Sequence, residues 1–255
     1  MKMLSTWEST TLVILIVISS LLFKEVINRF WTAERRRTHN DLIGWQLSIV
    51  GTTYAVILGF MLYTVWTEFE AASANADAEA SSVMNVYRLA EGLPAAQRDL
   101  LKQTAREYVD TVINEDWPAM ERGDGGIAAT HPMSVKMWEI LMSVKGASPT
   151  EITAEDHALY ELSAMSEHRR LRQLQATARL PAVLWFVLTI GGMVTIMSSC
   201  MFGAESSLLH GLQVLAFSLL IALVLVAIAD INRPYQGTVH VSDAAFRRAQ
   251  MYMSQ

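Results

Sequence analysis

Four long apolar runs constrain this chain more than any other feature. They extend from Trp7 to Phe23, Leu42 to Trp66, Pro181 to Phe202 and Leu208 to Ala229, two on each side of a polar stretch of more than a hundred residues. A bilayer core about 30 Å thick needs about 20 mostly apolar residues to cross as a helix. Lipid offers the backbone no hydrogen-bond partner, so only helices or closed barrels span it. The pattern therefore predicts an all-α integral membrane protein. Four transmembrane helices are arranged 2 + 2, with a helical soluble domain inserted between the second and third.

Charge follows the same division. Of 25 acidic residues, 18 fall within 67–179, against 11 of the 20 basic ones. An acidic soluble block disfavours nucleic acid and anionic headgroups, which both need basic surface. Cys200 is the only cysteine and lies inside the third run. An intrachain disulfide and a cysteine metal cluster are both excluded. The first run follows Lys2, and Leu21-Leu22-Phe23-Lys24-Glu25 offers no small-x-small cleavage site, so it reads as a retained span. It can continue through Val26, Ile27, Phe30 and Trp31 at an interface that favours aromatics.

The chain divides into a first helix pair (1–66), an acidic helical domain (67–180), a second pair (181–229), and a C-terminal corner with a short amphipathic tail (230–255). An even number of spans places both termini and the block on one side. The Lys24–Asp41 connection carries Lys24, Arg29, Arg35, Arg36 and Arg37, against Lys2, Arg233, Arg247 and Arg248 on the other side. The positive-inside rule is thus nearly balanced.

The second span carries two distinct faces. Gly44, Ser48, Thr52, Ala55 and Gly59 form a small-residue stripe, of the kind that lets membrane helices approach closely. Gln46, Thr53, Ile57, Phe60 and Thr64 form another face, mixing polar and apolar groups. Two readings are open for it. One is ordinary contact with lipid or protein; the other is pore lining, with Ile57 and Phe60 as a hydrophobic constriction.

No helix breaker follows Trp66. Phe69, Ala72, Ala76, Ala80, Val83, Tyr87 and Ala90 keep three/four spacing, which extends the span as one helix to about Ala90 before Gly92-Leu93-Pro94. At about 1.5 Å per residue it projects some 35 Å beyond the bilayer. A helix over Ala95 to about Asn114 has Leu101, Ala105, Tyr108 and Val112 on one face, and Trp117-Pro118 is expected to break it. Gly123-Asp124-Gly125-Gly126 is a turn, and Val135, Trp138 and Met142 mark a short helix ending near Gly146. Ser148-Pro149-Thr150-Glu151 forms a capping box for a helix from Pro149 to Ala178, which meets the third span at Leu180-Pro181. Helices 2 and 3 are thus both expected to extend out of the membrane.

Motifs for chemistry are scarce. No nucleophile elbow, phosphate loop, dinucleotide fingerprint or HExxH motif is present, so no catalytic residue, metal site or cofactor is expected. His157 and Glu161 sit at i and i+4, but no third ligand follows at helical spacing. His210 and Gln213 within the fourth span are expected to face protein or a cavity. At the end of that span, Asp230, Arg233, Pro234 and Gly237 suggest a helix stop. Arg233 reaches back to Asp230 or across to Glu68, forming a structural latch.

Several segments carry a family resemblance over nearly the whole chain. They are Tyr54-Ala55-Val56-Ile57-Leu58-Gly59-Phe60, Trp66, Glu79-Ala80, Glu115-Asp116-Trp117-Pro118, His168-Arg169-Arg170-Leu171-Arg172, Leu184-Trp185 and Phe202-Gly203, ending in Asp230-Ile231-Asn232-Arg233-Pro234-Tyr235-Gln236-Gly237. Together they resemble the bestrophin-like membrane family of bacteria and plants. The resemblance invites comparison with bestrophins, pentameric anion channels of the same 2 + cytosolic block + 2 order. It implies an inner-membrane homo-oligomer, its second span around a central pore and its soluble domain a cytoplasmic vestibule. The chain departs from bestrophins in lacking an acidic run after the fourth span and a closely spaced phenylalanine neck, and Asn232 stands where a second aspartate is expected. Calcium gating and chloride selectivity therefore do not carry over. The expectation is a homo-oligomeric, pentameric ion channel whose partners are lipid, ions and its own copies. The alternative is a non-conducting scaffold or sensor whose helical domain binds a protein or ligand.

Overall fold

The structure is a computed structural model describing residues 6–124, 129–145 and 148–255. Its helices are α1 (Thr6–Phe30), α2 (Ala33–Arg37), α3 (Asn40–Leu89), α4 (Ala95–Thr111), α5 (Trp117–Arg122), α6 (His131–Met142), α7 (Pro149–Thr177), α8 (Ala182–Cys200), α9 (Ser207–Ile231) and α10 (Ala244–Met253). No strand occurs among the described residues. Four helices are long and apolar enough to cross a bilayer: Trp7–Phe30, Asn40–Gly92, Ala182–Cys200 and Ser207–Ile231. The chain forms two units, one of residues 1–67 with 179–232 and the other of 68–178 with 233–255.

In the first unit the spans pack through few residues. Tyr54 of α3 is buried and lies over Gly191 and Gly192 of α8. A Cβ on Gly191 would stand 2.6 Å from the Tyr54 ring, and one on Gly192 2.8 Å from its hydroxyl. That hydroxyl donates to the Leu188 carbonyl at 2.9 Å. Lower along α3, Val65 packs with Leu188 and Ile228, and Met61, Leu62 and Trp185 close around them. The close helix approach thus comes from small residues on α8 receiving a large one from α3.

The second unit has a larger core. Ala72, Ala76, Ala80 and Val83 of α3 pack with Leu101, Ala105, Tyr108 and Val112, the face expected for the following helix. The Trp117-Pro118 break does not occur. Val112–Asp116 adopts a π-helical turn and α5 continues directly through Pro118. A π turn opens the hydrogen-bond ladder where proline has no N–H and its ring needs room. Gly123 then ends α5 at φ 88, with its N–H and that of Asp124 closing on Met120 and Ala119 carbonyls. Gly125 and Gly126 of the expected turn lie outside the described residues. So does Gly146, while α6 ends at Met142.

The buried face of α6 also differs from the expected one. Ser134, Met137, Ile140 and Leu141 turn inward, while Val135 and Met142 are exposed and Trp138 is half-buried. Both bonds of the Ser148/Glu151 capping box are present. Residues 178–181 are not helical, so α7 and α8 are separate helices. Pro181 denies the donor and forces its predecessor extended, which breaks the third span from the helix before it. The C-terminal tail does not stand apart. Ala245, Phe246, Ala249 and Met253 of α10 bury into the second unit's core.

Replacing Gly191 with Ala drives a methyl group into the Tyr54 ring, and overpacking of this kind typically destabilises by about 1–3 kcal/mol. Thermal unfolding of detergent-solubilised protein should show the loss. Gly51→Ala, where a Cβ meets nothing within 4 Å, should leave the transition in place. Equal melting of the two variants would argue against the Tyr54–glycine seam.

Candidate functional site

The membrane part of α3 presents three faces at about 100–150° intervals around a helix of 3.6 residues per turn. Ile43, Tyr54 and Val65 make the buried seam. The second face holds the five pore-lining candidates within an arc of about 60°. Gln46, Thr53, Phe60 and Thr64 on it are exposed, Phe60 by 65%. Ile57 is only half-exposed, because it also leans on the Val65–Leu188–Ile228 cluster. The Thr64 hydroxyl donates to the Phe60 carbonyl at 2.8 Å, so its polar group is satisfied within the helix.

The third face is the small-residue stripe. Ser48, Thr52, Ala55 and Gly59 are exposed, and a Cβ on Gly59 would meet nothing within 4 Å. Gly44 has a near neighbour, the Phe202 ring at 3.6 Å from a built Cβ. Ser48, Thr52, Ala55 and Gly59 line one wall of a groove of about 620 Å³, opposite Phe217, Leu220 and Val224 of α9. The stripe stays open because Tyr54 and Val65 on the neighbouring face set how α3 meets α8. Beside it Trp45, Ile49, Val56 and Tyr63 are exposed by 49% to 67%. In the fourth span His210 is buried and donates Nε2–H to the Ser199 carbonyl at 3.1 Å, whereas Gln213 is exposed.

In the second unit, buried charge fixes the extension of α3. Arg172 of α7 is fully enclosed, with its Nε donating to Glu79 Oε2 at 2.7 Å and Nη2 to Glu79 Oε1 at 3.0 Å. The same Nη2 reaches Asp116 Oδ2 at 3.1 Å. Tyr108 donates to Glu79 Oε1 at 2.5 Å, while Asp116 accepts from the Ala129 amide and the Thr130 hydroxyl. Burial pulls the Arg172 pKa down, but the charge and bonds of Glu79, with Asp116, outweigh it and hold the pKa above its ordinary value. Burial raises the Tyr108 pKa well above 10, with the Glu79 charge adding to it and Arg172 opposing. In the sequence Glu79, Asp116 and Arg172 stand out only as parts of the segments that carry the family resemblance, since ion pairs at separations of 93 and 56 residues leave no local pattern.

Uncharged groups also hold the C-terminal corner. Tyr235 is buried and donates to the Ala72 carbonyl at 3.3 Å, and Gln236 Nε2 donates to the Met120 carbonyl at 3.1 Å. Pro234 offers its carbonyl to the Val241 amide at 2.7 Å, and Gly237 adopts φ 93 as the turn requires. Trp117 stacks edgewise on Tyr235 with centroids 5.5 Å apart. Glu68 is exposed near the start of the unit. Within the first unit, Asn232 accepts from the Leu180 amide through its side chain, a role an aspartate could also fill. Asn85 Nδ2 donates to Glu161 Oε1 at 3.2 Å in a shallow pocket that His157 also lines. Among the described residues no group of three His, Cys, Asp or Glu side chains is placed to hold a metal.

The bestrophin-like domain family matches residues 14–246. The chain belongs to the bestrophin-like family. Its fold is that of a bacterial bestrophin homolog from Klebsiella pneumoniae, seen in two point variants. Each has a TM-score of 0.71 and 12% identity, over 95% of this chain and 98–99% of theirs. A crystal structure of a further membrane protein matches equally at 0.71, with 11% identity over 94% of this chain and 97% of that one. Comparison with the curated proteins gives no match.

Truncating one partner of the buried triad strands the rest. Arg172→Met should destabilise by about 3–5 kcal/mol, because two carboxylates stay buried without their cation. A shift much smaller than that in thermal unfolding would contradict the assignment. Alkali offers a second test. Tyr108 and Tyr235 are both held above their ordinary value of 10.0 chiefly by burial. Their contribution is complete below pH 10 and falls above it, where the unfolded chain ionises first, by about 1.4 kcal/mol per pH unit for each tyrosine. Tyr108→Phe should flatten this alkaline slope in stability measured from pH 8 to 11.5, and an unchanged slope would count against the burial.

Proposed function

We propose that the chain is the subunit of a homo-oligomeric ion channel, pentameric in its assembly, with α3 around the central axis. The observation that carries this reading is the exposure of α3: among the described residues, most positions on two of its three membrane faces are exposed. Such a helix suits a ring in which one face meets copies and another meets the permeation path. Gln46, Thr53, Phe60 and Thr64 line the path in this reading, and Phe60 is the narrowest point, with Ile57 shared between path and seam. Gly44, Ser48, Thr52, Ala55 and Gly59 then face a neighbouring subunit. Glu68, Asp230, Arg233, Pro234 and Gly237 act as a structural latch. Family membership and the fold shared with a bestrophin homolog support the same reading. By analogy the protein lies in the inner membrane with its soluble unit cytoplasmic. That unit carries most of the acidic residues, so it concentrates cations at one mouth of the path.

Purified protein reconstituted in liposomes should conduct, and mass measurement in detergent should give five copies. Phe60→Ala should raise unit conductance severalfold by widening an apolar constriction, whereas Trp45→Ala should not. A monomer with no current under varied voltage, pH and tension would overturn the proposal. Unchanged conductance in the Phe60 variant would overturn only its placement.

A further inference from the structure

A hollow of about 370 Å³ lies in the second unit between α4 and α10. Arg106, Val109 and Asp110 wall it on one side, and Gln250, Met251 and Met253 on the other. That volume falls within the range of small-molecule clefts. Val109 and Met253 belong to the buried core and Met251 is exposed, so much of the lining is apolar.

The two charges in it are kept apart. Arg106 and Asp110 stand one turn from each other on α4, a spacing at which opposite charges can pair directly. Each is committed elsewhere instead. Arg106 donates Nε–H to the Met253 carbonyl at 2.9 Å and Nη2–H to the Tyr87 hydroxyl at 2.6 Å. Asp110 Oδ1 accepts from Gln250 Nε2 at 2.7 Å. Arg106 Nη1 and Asp110 Oδ2 take no part in these bonds, which leaves one cationic donor and one anionic acceptor for a ligand.

The walls are held in place before anything binds. The Tyr87 hydroxyl also donates to the Met253 carbonyl at 3.3 Å, and its ring meets Tyr252 edgewise with centroids 6.4 Å apart. The Arg88 guanidinium sits 4.5 Å over the Tyr252 ring, and Lys102 Nζ 4.9 Å over that of Tyr87. A site fixed in this way spends little binding energy on ordering its own side chains.

A ligand suited to it carries a negative group, a positive group and an apolar part. A simple anion meets repulsion from Asp110, and a simple cation from Arg106. Side chains one turn apart have Cβ atoms about 6 Å from each other, a span that the adjacent carboxylate and ammonium of one small zwitterion bridge. We propose that this hollow binds a free aliphatic α-amino acid. Its carboxylate is received by Arg106 Nη1 and its ammonium by Asp110 Oδ2, while its side chain lies on Val109, Met251 and Met253. The site is contained in the second unit and does not depend on whether the protein conducts.

The test is thermal unfolding of the detergent-solubilised full chain with L-leucine, leucinamide or isocaproate at matched pH and ionic strength. Leucine should raise the transition by roughly 5 °C at concentrations well above its Kd. Leucinamide lacks the carboxylate and isocaproate the ammonium, so neither should move it at the same concentration. Asp110→Asn keeps an acceptor for Gln250 but removes the charge, and should need at least about tenfold more leucine for the same rise, the cost of one lost charge-assisted bond. The proposal is overturned if leucine leaves the transition in place at tens of millimolar. It is equally overturned if either analogue matches leucine, or if the leucine effect is undiminished in Asp110→Asn.

Discussion

Both units draw on one helix that nothing interrupts. From Asn40 to Leu89 there is no proline, and its two glycines in the membrane stretch after Gly44, Gly51 and Gly59, cause no break. At 1.5 Å per residue its 50 residues extend for about 75 Å. The first unit uses it as a span and the second as a core strut, and the residue types change accordingly. Aromatic and branched residues dominate as far as Trp66, and Ala72, Ala76, Ala80 and Val83 follow, small enough for α4 and α7 to close around them.

The buried ion triad explains why that strut keeps one register against α7. A leucine-lined core tolerates sliding by a turn, since apolar contacts are non-directional. The bidentate Arg172–Glu79 pair does not, because the planar guanidinium fork demands both oxygens in one geometry. Asp116 extends the constraint to the π-helical turn and through Thr130 to the start of α6. Phe246 of α10 lies 5.9 Å from the same guanidinium, so the C-terminal helix closes over it. One arginine thereby fixes four segments that share no local sequence signal.

Periodicity and helix-stop chemistry made much of this legible in advance. The spans, the length of α3, the Ser148 capping box and the face of α4 all rest on local patterns, which a helix must obey whatever surrounds it. The misses share a different cause. The π turn at Val112–Asp116 lets the chain pass Pro118, a choice made by the tertiary setting. α6 buries Met137 and Ile140 in place of Val135 and Met142, since neighbours decide which side of a short amphipathic helix is inside. The small residues that receive Tyr54 are Gly191 and Gly192 of α8, which no stripe on α3 could indicate. A stripe reveals that close approach is allowed, never which helix uses it.

The two fully buried arginines set the terms of each unit by contrast. Arg172 meets two carboxylates and a π face within its own chain, so its desolvation is offset internally and its role is to hold a core together. Arg36 meets a carbonyl and an amide oxygen, which orient a guanidinium without neutralising it. Replacing it by an apolar residue would remove an expensive charge at the loss of two neutral hydrogen bonds, typically about 1 kcal/mol each or somewhat more for a charged donor. A chain under no other demand would gain by that exchange.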